Sequence, residues 1–262
     1  MADKFCIEEN LVSSNDILSP SRRFKLIIHS YKTKENCWNY TKGVIIRLSD
    51  GTVIAEIIRN YSAFHHSFFT RKNGDKNQEW LCTGKTYLSQ CFVNLDTGEI
   101  YDNSEASTDS HAFCWASVKA NLSGTILAVE GCIWGGPYEI EFYDFSDPTK
   151  GWPIIKFNNY DNYHDLYVDD NHETQWLNNE TFQYTRNRKY CPRFGKEEDE
   201  LEIEELEQLP KVDEEYDKEF INKLYYRAVV EKIANEMHFV TVEDSEDHKQ
   251  YLKNLKEFDN KV

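Results

Sequence analysis

Between residue 20 and residue 191 the apolar positions fall in short runs, each bounded by a turn signal. RFKLIIHSY (23–31), GVIIRL (43–48) and TVIAEII (52–58) read as strands, and Ser49-Asp50-Gly51 joins the last two as a hairpin. The scheme then repeats through HHSFFTR (65–71), EWLCTG (79–84), QCFVNL (90–95) and EIYDN (99–103), with Asp96-Thr97-Gly98 standing where Ser-Asp-Gly stood before. The best-preserved set covers 113–157, where Ser123-Gly124, the loop 132–138 and Ser146-Asp147-Pro148 separate four apolar runs. ETQWLN (173–178) and ETFQYTR (180–186) form a decayed fourth set that stops at Cys191-Pro192. Four strands per unit at a period of about 50 residues predicts propeller-like blades.

The two ends of the chain break this pattern. Residues 1–19 mix charge, Ser and Asn around a few apolar residues, which suits a short helix or a flexible arm, with Ser19-Pro20 as its boundary. Residues 195–213 are acidic and poor in apolar groups, an expected linker broken by Pro210. From Tyr216 to Met237 the apolar residues recur at helical spacing, and Tyr251, Leu252, Leu255 and Phe258 suggest a second amphipathic helix over 244–258. The expected architecture is mainly β: a small array of three to four antiparallel four-stranded units at 20–194, with C-terminal α-helices (214–262) packed on it.

ANLSGTILAVEGCIWGGPYEIEFYDFSDP resembles one blade of a WD40-type β-propeller. The resemblance rests on the Ser123-Gly124 turn before an LAV strand and on Tyr143-Asp144 closing the third strand. Leu48-Ser49-Asp50-Gly51 and Leu95-Asp96-Thr97-Gly98 stand at the corresponding place in the other units. No unit has a Trp-Asp pair or a Gly-His start, so the chain looks like a separate family, and the resemblance transfers architecture and no catalytic residues. The resemblance implies a rigid body with variable loops, the usual build of an interaction platform.

Charge and cysteine usage narrow the function classes. The net charge of −16 is uneven, since residues 196–219 hold thirteen acids against three lysines and leave the body about −6. A phosphate-tracking nucleic-acid surface needs concentrated Lys and Arg and is disfavoured. The seven cysteines are odd in number, scattered and without a CxxC pair, which fits reduced thiols in the cytoplasm. No apolar run reaches membrane-spanning length, and the N-terminus has no signal-peptide pattern.

No GxSxG, P-loop, HExxH or GxGxxG occurs, so no catalytic residue and no cofactor is assigned. Cys114 lies inside a strand run and reads as an inert core thiol. His65, His66 and His111 precede strands and read as structural ties. Asp161, His164, Asp165, Asp169, Asp170 and His172 could hold a divalent cation, with His164, Asp165, Asp169 and His172 as the ligand set, and equally form a solvated turn. The aromatic loops offer the better lead. Trp38 and Tyr40 lie between the second and third strands of one unit, and Trp134 and Tyr138 lie between the same two strands of another. Exposed, they are partner anchors; folded back, Trp38 and Trp134 seal the core. The function expected from the sequence is therefore a non-enzymatic interaction protein that binds a protein partner through these loops. Self-association through the C-terminal helices is a further expectation. The alternative is a metal-dependent hydrolase built on 161–172.

Overall fold

The computed structural model describes residues 2–60, 63–86, 88–102, 113–133, 136, 138–155, 174–210, 219–233, 236–241 and three single positions at 249, 253 and 256. The chain divides into two compact units, 1–156 and 157–262.

Unit 1 is a set of antiparallel meanders. Strands β1 (Leu11–Leu18), β2 (Phe24–Tyr31), β3 (Tyr40–Arg47) and β4 (Val53–Arg59) make the first sheet in chain order. The second is β5 (Ser67–Asn73), β6 (Lys76–Thr83), β7 (Cys91–Asn94) and β8 (Ile100–Asp102). The third is β9 (Phe113–Ala120), β10 (Ile126–Ile133) and β11 (Glu139–Asp144), with Ile154 bridging Tyr143 in place of a fourth strand.

The period of two along β6 and β7 explains the core. Leu81, Cys91, Val93 and Leu95 meet Phe24, Leu26, Ile45 and Ile57 of the first sheet. Their alternates, Trp80, Cys82 and Phe92, meet Trp115, Leu127, Val129 and Phe145 on the third-sheet side. The second sheet is thus apolar on both faces, and the third packs on it through Phe145, whose ring lies 4.5 Å from Phe92 and 5.4 Å from Trp80. Removing such a fully buried aromatic costs about 3–5 kcal/mol.

Ion pairs and carbonyl bonds fasten the sheets at one end. Arg23 reaches Asp96 and lies 3.6 Å from the buried Glu79, which also accepts hydrogen bonds from Ser21. Burial works against the Asp96 carboxylate, but the Arg23 guanidinium and the Glu79 N–H at 2.7 Å outweigh it and hold Asp96 below the usual range. Arg71 donates to the Phe145 and Ser146 carbonyls, tying the second sheet to the third.

Unit 2 holds β12 (Gln175–Trp176), β13 (Thr181–Cys191), β14 (Lys196–Glu197), β15 (Ile221–Ile233) and β16 (Glu236–Thr241), ordered β12-β13-β15-β16 with β14 beside the end of β13. Unit 2 also has a short α-helix, α1 (Ile203–Leu206), and the single described positions Lys249, Lys253 and Lys256 are helical.

Four expectations need correcting. Among the described residues the sheets remain separate and open, and no propeller or barrel closes; three sheets in unit 1 are too few to complete a ring. Residues 1–19 are not an arm: Leu11–Leu18 is the edge strand of the first sheet, hidden from pattern reading because its apolar residues cluster at both ends instead of alternating. The helix expected across 214–239 is instead a strand pair, β15 and β16. Val229 and Val230 are consecutive and both buried, so β15 is covered on both faces there, and its apolar positions lose the period of two and imitate a helical stripe. Of the second expected helix, over 244–258, only Lys249, Lys253 and Lys256 are described, and all three are helical. In the acidic stretch, Leu201 and Leu209 are buried with Cys191 and Phe220, which makes this part of the expected linker an element of a small core.

Candidate functional site

Because strand direction alternates, the connections of unit 1 emerge at two ends. The tight turns 19–23, 48–52, 95–99 and 121–125 share one end, fastened by the Arg23 and Arg71 bonds. The longer connections 32–39, 60–66, 84–90 and 134–138 share the other. One bond aligns that second end across the first two sheets, the Asn60 N–H donating to the Lys85 carbonyl at 3.0 Å, while the Thr83 hydroxyl donates to the His65 carbonyl at 2.7 Å within the second sheet.

Trp38 stands at this end with 70% of its surface exposed. Its loop is built around the neighbouring thiol. Cys37 Sγ accepts from the Lys34 N–H at 3.1 Å, lies 3.2 Å from the Thr33 hydroxyl and donates to the Lys34 carbonyl at 2.9 Å. The Thr33 hydroxyl lowers the Cys37 pKa most; burial opposes it and the Lys34 N–H assists. A thiol thus serves as the hub that fixes where Trp38 is displayed. Tyr40 sits elsewhere, half-buried at the start of β3 and stacked on Phe5 with ring centroids 4.8 Å apart, where it holds the N-terminal turn.

On the third sheet Tyr138 is 46% exposed, and Ile133, at the end of β10, also reaches solvent. Trp134 lies outside the described residues. The same is true of His164, Asp165, Asp169, His172 and His111. Among the described residues, no group of three or more His, Cys, Asp and Glu side chains could hold a metal ion.

Arg59, His65, Thr83, Ser89 and Trp115 line a crevice of about 20 Å³. That holds a water molecule and not a metabolite. Arg59 is buried and donates to the Gly84 carbonyl at 2.6 Å and the Thr86 carbonyl at 3.1 Å. Burial lowers the His65 pKa, and the charges of Arg59 and His66 lower it further against a hydrogen bond to the Trp115 backbone. These influences disfavour the charged form of His65, whose ring also bonds to the Trp115 backbone of the third sheet. Arg59 was not singled out in the sequence, yet Ala55, Ile57 and Arg59 alternate on the inward face of β4, and that parity was the available signal.

No family model matches the chain. Uncharacterized protein R762 of Acanthamoeba polyphaga mimivirus is 47% identical over 254 residues, covering 97% of this chain and 96% of the mimiviral one. The chain belongs to that protein's family. The match runs through both units, so the family is defined by the whole two-unit chain and not by the sheet stack of unit 1 alone. Among solved structures, the AtxE2 isopeptidase in its apo form aligns with 94% of this chain and 31% of its own length, at 12% identity and a TM-score of 0.28. This chain therefore spans less than a third of that protein, and so loose a likeness carries no argument.

Proposed function

We propose that this protein is a non-enzymatic interaction module that engages a protein partner through the loop end of unit 1, in the reducing environment of the cytoplasm. The display of Trp38 supports this most directly: a large aromatic, 70% exposed, on a loop held by three short bonds to Cys37. Exposing an indole costs hydration free energy, while pinning it in advance lowers the entropy lost on binding. Aromatic anchors of this kind dominate interface energetics.

Tyr138 supplies a second anchor from the third sheet. Two sheet-to-sheet spacings of about 10 Å each put it roughly 20 Å from Trp38. One partner burying about 800 Å² on this side would cover both. Seven free thiols fit a reducing compartment.

The test is cross-linking and affinity capture from the native cell with the intact chain and with Trp38→Ala/Tyr138→Ala. The expected result is one saturable protein partner whose affinity falls at least about 30-fold in the double variant, equivalent to about 2 kcal/mol, with the melting temperature unchanged. A partner bound equally well by both forms would overturn the assignment of these loops.

A further inference from the structure

Among the described residues, the outer edge of β1 carries main-chain groups with no strand beside them. β1 pairs with β2 on one side only. The Ser19 N–H donates to the Phe24 carbonyl at 3.0 Å, and alternation along an antiparallel ladder then turns the main-chain groups of Ile17, Asn15 and Ser13 toward β2. Those of Ser14, Asp16 and Leu18 point away, into solvent. The side chains are exposed as well, Val12 by 62% and Leu18 by 48%.

Natural edge strands of this length usually carry lysine, proline or a central bulge that blocks further pairing. LVSSNDIL has no lysine and no proline. Its register shift lies at the very start, between Leu11 and Ser13. Its only charge, Asp16, is already held by Lys25 at 2.9 Å. The stretch from Ser13 to Leu18 is therefore a regular, unguarded edge.

From these observations we infer that β1 pairs antiparallel with β1 of a second copy, joining two four-stranded sheets into one across a two-fold axis. A second copy is the occupant because the strand is complementary to itself. An axis through Asn15 sets Ser14 against Asp16 of the partner subunit, and both residues have outward main-chain groups to exchange. The same axis brings Val12, at the bulge that opens the strand, close to Leu18 of the partner subunit, so the two most exposed apolar side chains of the strand can cover each other. No two charges stand directly opposite, and the two Asp16 carboxylates, which lie diagonally across the axis, are each paired with Lys25 of their own chain. Moving the axis to Ser14 would put Asp16 opposite Val12 and lose this match. The ladder is short, so the dimer belongs to the weak, concentration-dependent class. Each copy carries a net charge of −16, so added salt screens the repulsion and favours the dimer.

This surface is separate from the loop end, and Trp38→Ala/Tyr138→Ala dimerises like the native chain. The test is analytical ultracentrifugation with hydrogen exchange on the full chain, across a series of protein and salt concentrations. The mass rises toward a dimer as protein and salt increase. Over the same series the amides of Ser14, Asp16 and Leu18 become protected, while those of Asn15 and Ile17 are protected throughout. Ser14→Pro removes an outward N–H and leaves the main-chain bonds to β2 in place, losing on that side only the hydroxyl bond to His29 Nδ1 at 2.7 Å, and it weakens association at least about tenfold. Ser14→Lys, facing Asp16 of the partner subunit, tightens the dimer, and Ser14→Asp loosens it. If Ser14→Pro unfolds the chain, the lysine and aspartate variants decide. A monomer under every condition, a dimer indifferent to Ser14→Pro, or equal effects of Ser14→Lys and Ser14→Asp would overturn the inference.

Discussion

Two hairpins in unit 1 share a turn and differ in almost everything else. In β3–β4 the Arg47 N–H donates to the Thr52 carbonyl at 2.8 Å and the Gly51 N–H to the Arg47 carbonyl at 2.9 Å. In β7–β8 the same two bonds run from Asn94 to Glu99 at 2.9 Å and from Gly98 to Asn94 at 2.7 Å. Gly51 and Gly98 take φ of 72° and 81°, the left-handed region that only glycine enters without strain. Yet β3 alternates between buried and half-buried positions, while all four residues of β7 are buried. The local sequence repeats because the turn geometry repeats. Burial does not, because the first sheet packs on one face and the second on two. Resemblance between repeats therefore reports the connection, and position in the stack sets the energetics.

The largest effect that could break this comparison comes from equivalent strand positions. Ile46 and Val93 stand one residue before the turn's first hydrogen-bonded residue. Val93 is fully buried, while Ile46 is only partly buried. Val93→Ala removes fewer atoms than Ile46→Ala, but it leaves a cavity in a sealed layer. It is expected to cost about 2–3 kcal/mol against about 1 kcal/mol for Ile46→Ala. Urea denaturation of both variants measures this, and equal losses would mean that the second sheet is not covered on both faces in solution.

The turns should behave the opposite way. Gly51→Ala and Gly98→Ala each force a side chain into the left-handed region, and neither new methyl meets a neighbour closer than 3.8 Å. Both are expected to cost about 1 kcal/mol, equal within error, in the same denaturation experiment. An unequal pair would show that stack position reaches into the turns.

This contrast also explains what pattern reading could and could not reach. The hairpins at Asp50 and Asp96 were legible because turn chemistry is local. So were most strands of unit 1, whose apolar runs end at those turns. β15 was not legible, because burial of Val229 and Val230 on opposite faces erases the alternation that marks a strand. β1 was missed for the reverse reason: an edge strand needs little apolar surface to pair, and LVSSNDIL offers little. At the site, Trp38 could be named but not placed, since an indole in a loop serves a core or a surface equally well. Tyr40 shows the difficulty, as its partner Phe5 comes from a segment with no pattern of its own.

The smallest expected effect separates the two sheets by their thiols. Cys37 lies in the loop after β2, and Cys91 opens β7 after the corresponding loop of the second sheet. The Thr33 hydroxyl leads in lowering the Cys37 pKa, so more of it is thiolate at neutral pH than in an ordinary cysteine. Cys91 is pushed up to about 12 by burial, with the negative charge of Asp102 adding to it. Since the thiolate is the reacting form, iodoacetamide should label Cys37 in the folded protein, with a rate that rises through a midpoint below the usual value of about 8.5. Cys91 should label only on unfolding. Thr33→Val removes the main donor to Sγ, so the midpoint should move up and labelling at pH 7 should slow a few-fold without a change in folding. Peptide mass spectrometry after timed labelling reads all three outcomes. Comparable labelling of Cys91 in the native protein would mean that the second sheet opens on the labelling timescale, and the difference between the two hairpins would then be one of dynamics as well as burial.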